Sequence, residues 1–198
     1  MAIGRTFEDS IQKAMRQVDP KYVGFQGNKF NSLDYELQNP TDLRWLAVGR
    51  AMLHENYTVD RIHELIKIDK WLQYRLRNIV NCTHELEDIR GLFGIQKELM
   101  MKAKKMDFSD RQIAKAVGST EDEMRAWRKG FGIRPFVKKI DTLAAEFPAD
   151  TNYLYMTYNA TSHDVTFDDH GIVFWAVACA ELAAPSNSIG VLSAPPWP

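Results

Sequence analysis

Apolar residues recur at helical spacing from Thr6 to Gly130, and the spacing fails beyond that point. In "TFEDSIQKAMRQVDP", Phe7, Ile11, Ala14, Met15 and Val18 form one stripe. Thr6 is placed to cap, Glu8 and Asp9 occupy the first turn, and Asp19-Pro20 stops the helix. The preceding "MAIGR" is short and extended in character. A polar, aromatic-dotted loop with Gly24 and Gly27 follows. "NPTDLRWLAVGRAMLHENY" then predicts a helix with Leu43, Leu46, Ala47, Arg50 and Leu53 at helical spacing.

"YTVDRIHELIKIDKWLQYRLRNIVN" predicts a short helix capped at Thr58, a turn near Ile68-Asp69, and a longer helix carrying Trp71, Leu72, Leu76, Ile79 and Val80. A second stretch, "FSDRQIAKAVGSTEDEMRAWRKGFGI", repeats the plan. Tyr57-Thr58 with Ile62 corresponds to Phe108-Ser109 with Ile113, and each pair opens a two-helix unit, which we read as a weak internal duplication. Past Gly130, Pro135 and Pro148 break the chain and "TNYLYMTY" favours an extended connector. From Ile172 to Pro198 an Ala, Ser and Pro-rich mixture shows no amphipathic period. The expected fold is all-α and multihelical, with two small helical units and short extended flanks.

The second unit has the outline of a DNA-binding helix-turn-helix. Ser109 caps its first helix, Gly118 makes the turn, and Thr120 with Glu123 forms a capping box for the next. The residues that would meet phosphates are, however, Glu121, Asp122 and Glu123, and a polyanion repels them. Arg125, Arg128 and Lys129 lie further along, where they complement the helix C-terminus or make domain contacts. Packing of two short helices is therefore the expected use, with no nucleic acid bound.

Charge changes that picture little. The 198 residues hold 25 Lys and Arg against 26 Asp and Glu, a net charge of -1 that draws the chain to no polyanion or anionic membrane. Cys82 and Cys179 are too few for a thiolate metal site, and nothing at the N-terminus resembles a cleavable signal, so a reducing, cytoplasmic compartment is expected. The longest apolar run falls short of the ~20 residues a membrane-spanning helix needs. His163, Asp164, Asp168, Asp169 and His170 fit no rigid metal template, His63-Glu64 lacks a second histidine one turn on, and Met100, Met101 and Met106 suit a core. "GRTF" and "GFGI" are not phosphate loops, and Ser109 and Ser119 lack a nucleophile's setting. No catalytic, cofactor-binding or metal residue is expected.

Taken together, "MAIGRTFEDSIQKAMR", "YTVDRIHELIKIDKW", "MDFSDRQIAKAVGSTEDEMR" and "KKIDTLAAEFPADTNYLYMTYNATSHDVTFDDHG" resemble the large chain of carbamoyl-phosphate synthetase, in the form found in eukaryotic multifunctional pyrimidine-pathway enzymes. The resemblance runs in family order from Met1 to about Gly171. It implies a non-catalytic piece of a longer ATP-dependent ligase, which makes carbamoyl phosphate from ATP, bicarbonate and glutamine-derived ammonia. Residues 1–18 would be the last strand and helix of the first ATP-grasp half, 19–38 a loop, 39–133 the helical oligomerisation domain, and 134–171 the connector to the second half. ATP and magnesium or manganese would be bound elsewhere in the parent, since the family's residues for them lie upstream of "MAIGR".

The implied partners are the rest of the synthetase, its glutaminase part, and further copies of the chain. The implied location is cytoplasmic, or mitochondrial if the parent serves arginine synthesis or the urea cycle. Ala2, Ile3, Gly4 and Arg5 would mark the wall of the route carrying ammonia to the first site. Residues 172–198 do not continue the family pattern, and synonymous codons for Trp175 to Pro198 exist whose neighbouring frame nearly spells it. We therefore expect a frameshift there, which resequencing of the locus tests. Two other readings compete: a free-standing helical interaction module and, behind it, a helix-turn-helix nucleic-acid binder.

Overall fold

The computed structural model describes residues 2–19, 21–89, 91–148 and 153–166, so the expected tail at 172–198 lies outside the described residues. Helix α1 (Phe7–Val18) starts as the sequence predicts, with Thr6 accepting from the Asp9 N–H. Its buried face coincides with the expected stripe only at Met15, with Ile11 packed partly buried against the core. Glu8, Asp9, Gln12 and Met15 turn inward, whereas Val18 is 65% exposed. The inversion is possible because each inward polar group finds a partner: the Gln12 amide donates to the Met106 carbonyl (2.9 Å) and accepts from the Phe25 N–H (3.2 Å). Arg16 extends the grip, donating to the Asp107 carbonyl at 2.8 Å and pairing with its carboxylate.

The segment expected to be loop carries a short helix, α2 (Leu33–Gln38), which buries Leu37 completely. Six residues are under two turns, too few for a period to show. Helix α3 (Arg44–Leu53) forms where expected, but buries Val48, Ala51 and Met52 along with Leu46 and Ala47, while Leu43 is exposed. Helices α4 (Val59–Ile66) and α5 (Lys70–Glu87) make the first unit, α6 (Lys97–Lys105) follows a 3₁₀ turn at Leu92–Gly94, and α7 (Asp110–Val117) with α8 (Glu121–Gly130) makes the second. Trp71, one of the apolar residues the sequence places on the longer helix, is 53% exposed, edge-on to Phe7 with the Arg75 guanidinium over its ring.

The duplication extends to conformation. Thr58 and Ser109 each cap an eight-residue helix, Ile62 and Ile113 are both fully buried, and each helix closes on a left-handed residue, Lys67 and Gly118. At Gly118 φ is +75°, which a side chain adopts only at a cost. One core runs through the body, with Phe25, Leu37, Met52, Ile62, Ile79, Leu86, Ile95, Met100, Phe108, Ile113, Met124 and Ile133 as members and Met15 of α1 among them. The connector forms an antiparallel pair, β1 (Phe136–Lys139) and β2 (Leu154–Thr157), with Phe136 opposite Thr157 and Lys139 opposite Leu154. The fold is thus all-α with a small sheet beside it.

Candidate functional site

Residues 2–5 meet α1 and β2 in a polar junction. The Asp9 carboxylate is its hub: Oδ2 accepts from the Arg5 N–H (3.1 Å) and the Thr157 hydroxyl (3.0 Å), and Oδ1 lies 2.8 Å from the Lys13 ammonium. Lys13 also donates to the carbonyls of Ile3 (3.1 Å) and Met156 (2.7 Å), tying the N-terminal segment, which is extended without pairing as a strand, to the hairpin. The Arg5 guanidinium reaches the Tyr155 hydroxyl (3.2 Å) and the Asn159 carbonyl (3.3 Å). Gly4 is pressed against the start of α1, where a Cβ would stand 2.7 Å from the Ser10 N and 2.8 Å from the Asp9 carboxyl carbon. A larger residue there would push the segment off the helix. Beside the hub, Glu8 accepts from the Asn78 amide (2.9 Å) and faces Arg75 at 3.8 Å.

A second cluster lies inside the helix-turn-helix. Asp110 is paired with Lys104 (2.9 Å) and Arg128 (3.0 Å), and Arg125 approaches at 3.9 Å. The Tyr158 ring closes over the two buried cations, 4.9 Å from the Lys104 ammonium and 6.0 Å from the Arg128 guanidinium. Burial raises the Asp110 pKa, but the charges and hydrogen bonds of Lys104 and Arg128 outweigh it and hold the carboxyl below the ordinary range. Burial likewise pushes the Tyr158 hydroxyl up to about 12. Arg128 also donates to the Ile133 carbonyl (2.8 Å) just past the end of α8, where the sequence places it at a helix end or in domain contacts. Arg125 pairs with Glu121 on the helix surface.

The remaining sequence candidates separate. His163 accepts from the Val137 N–H, Asp164 pairs with Lys138, and Asp168, Asp169 and His170 lie outside the described residues. His63 contacts the Ile68 carbonyl at 2.7 Å in the turn after α4. Met100 is fully buried in the core, with Met101 and Met106 packed against it. Cys82 is a buried thiol whose pKa burial pushes up to about 12, far from a reactive thiolate. Among the described residues no three His, Cys, Asp or Glu side chains come together as a metal site. No described helix is long and apolar enough to cross a membrane.

Sequence reasoning singled out Arg5 and missed its partners. Tyr155 and Asn159 lie 150 and 154 residues away, beyond any local spacing. Asp110 was hidden by its place, because an acid in the first turn of a helix needs no other explanation.

Comparison with known proteins supplies the wider frame. The sequence pattern of one family, the oligomerisation domain of the carbamoyl-phosphate synthetase large chain, matches residues 1–132. The arginine-specific large chain of carbamoyl phosphate synthase from Neurospora crassa, named as mitochondrial, is 72% identical over 173 residues, which are 87% of this chain and 15% of that protein. Its Schizosaccharomyces pombe counterpart is 56% identical over 171 residues, 86% of this chain and 15% of that one. The multifunctional protein URA2 of Saccharomyces cerevisiae is 48% identical over 178 residues, 87% of this chain and 8% of its own length. The chain therefore spans about 15% of the length of the first two relatives.

Proposed function

The chain belongs to the carbamoyl-phosphate synthetase large-chain family as its oligomerisation-domain region, and from that premise we propose that it acts as a non-catalytic link and self-association element within a longer synthetase. The family match over residues 1–132 carries the reading. The site chemistry supports it, since the buried carboxylates Asp9 and Asp110 are committed to lysine and arginine partners. Neither those acids nor any described glycine-rich loop fits ATP with magnesium or manganese.

In the parent, the chain would join the two synthetase halves and bring copies of the large chain together, with the glutaminase part delivering ammonia. Ala2, Ile3, Gly4 and Arg5 would form part of the ammonia route's wall. The tight seat of Gly4 and the cross-chain hold on Arg5 support that assignment. The higher identity to the arginine-specific chain, 72% against 48% for the multifunctional protein, favours the arginine pathway and a mitochondrial over a cytoplasmic setting.

Native mass spectrometry of the chain, alone and mixed with a full-length synthetase, tests the linking role. Self-association and capture by the synthetase are expected, and a chain that stays monomeric at all concentrations and ignores the enzyme would end the proposal. ATP hydrolysis by the purified chain with bicarbonate would overturn its non-catalytic part.

A further inference from the structure

Arg5 is held in two separate ways. Its backbone N–H belongs to α1 through Asp9, but both hydrogen bonds of its guanidinium go to the connector: Nε to the Tyr155 hydroxyl and Nη1 to the Asn159 carbonyl. Of the two acceptors, Tyr155 lies in β2 with the Lys13 ammonium of α1 6.0 Å from its ring, and Asn159 is anchored on the helical body. Asn159 donates its side-chain amide to the Lys105 carbonyl (2.7 Å) at the end of α6 and its N–H to the Thr157 hydroxyl (3.1 Å), which in turn donates to Asp9. Between them, Tyr158 sits over Lys104 and Arg128. The path from α6 and α8 to the Arg5 guanidinium is thus a continuous run of contacts through residues 155–159.

We propose that Tyr155 and Asn159 are positioning residues for Arg5, so that the seating of the connector, held on α1 through Lys13 and Asp9 and on α6 and α8 through Asn159 and Tyr158, fixes where the guanidinium stands. A guanidinium has five N–H donors, of which this clasp uses two. Its placement therefore governs where the other donors point. Resting on the reading of residues 2–5 as tunnel wall, this makes the wall's one charged group responsive to the connector that leads into the second synthetase half.

The test uses the 198-residue chain, with Arg5→Lys to assign the Arg5 Nε–Hε resonance in an arginine side-chain NMR spectrum. Tyr155→Phe keeps the aromatic ring and removes only the acceptor oxygen. It should speed Hε exchange about fivefold, the effect of one lost hydrogen bond, while backbone amide spectra elsewhere stay unchanged. Asn159→Ala, which cuts the anchor to Lys105, should act in the same direction. Unchanged Hε exchange in both variants overturns the proposal.

The same Tyr155→Phe change in a full-length synthetase carrying this segment separates the two readings. More glutamine consumed per carbamoyl phosphate formed supports a tunnel wall positioned by the connector. A changed resonance with unchanged stoichiometry keeps the clasp and removes the tunnel assignment.

Discussion

Among single residues, Asp110 concentrates the most opposing charge, because two of its cationic partners, Lys104 and Arg128, are themselves almost fully buried. Removing the carboxylate by Asp110→Ala leaves both cations without a counter-charge inside the protein, and a loss of about 3–5 kcal/mol in chemical denaturation is expected. Lys104→Met should cost clearly less. Burial already lowers the Lys104 pKa despite Asp110, and the Arg128 fork on Asp110 survives the change. Equal losses in the two variants would show that the cluster is held by packing and not by charge. The pH dependence has a fixed sign. Because the folded carboxyl titrates below its unfolded value, its contribution is complete above about pH 4 and is lost as pH falls through the folded pKa. An Asp110→Asn variant should therefore show a shallower acid decline than the native chain, measured as stability from pH 6 downwards.

At the scale of elements, what was legible is what is local. Thr6, Thr58, Ser109 and Thr120 cap helices where the sequence places them, since an N-cap bond spans three residues. Within the extended run "TNYLYMTY", Leu154–Thr157 likewise form a strand. The buried face of α1 was not legible. Its polar residues at 8, 9 and 12 face inward only because Asn78, Thr157, Met106 and Phe25 come from distant chain to meet them. Periodicity weighs a side chain by its own polarity and cannot register a partner 94 residues away. The same blindness hid the partners of Arg5. A substitution exposes the difference: Gln12→Leu would improve the helix by hydrophobic pattern, yet it strands the Phe25 N–H and the Met106 carbonyl. We expect a loss of about 2 kcal/mol in urea unfolding, and a neutral or stabilising result would show that the face accepts apolar packing.

For the whole molecule, the question is where α1 belongs energetically. Family resemblance assigns residues 1–18 to the neighbouring catalytic half, whereas the family pattern begins at residue 1 and Met15 sits in the same core as Ile79 and Met100. Gln12 and Arg16 grip the turn after α6, Glu8 accepts from Asn78 of α5, and Asp9 and Lys13 grip β2, so the helix is held at three separated places. Deleting residues 1–18 would remove one buried methionine, worth about 2–5 kcal/mol, together with several hydrogen bonds of about 1 kcal/mol each. A chain of this size changes its Tm by about 2–4 °C per kcal/mol, so the truncated form should melt about 10 °C or more below the full chain in a calorimetric scan. If α1 were only the end of another domain lying alongside, the melting point would stay where it is. Such a drop would make the helix an integral part of the oligomerisation body, tied by way of Asp9 and Lys13 to the connector.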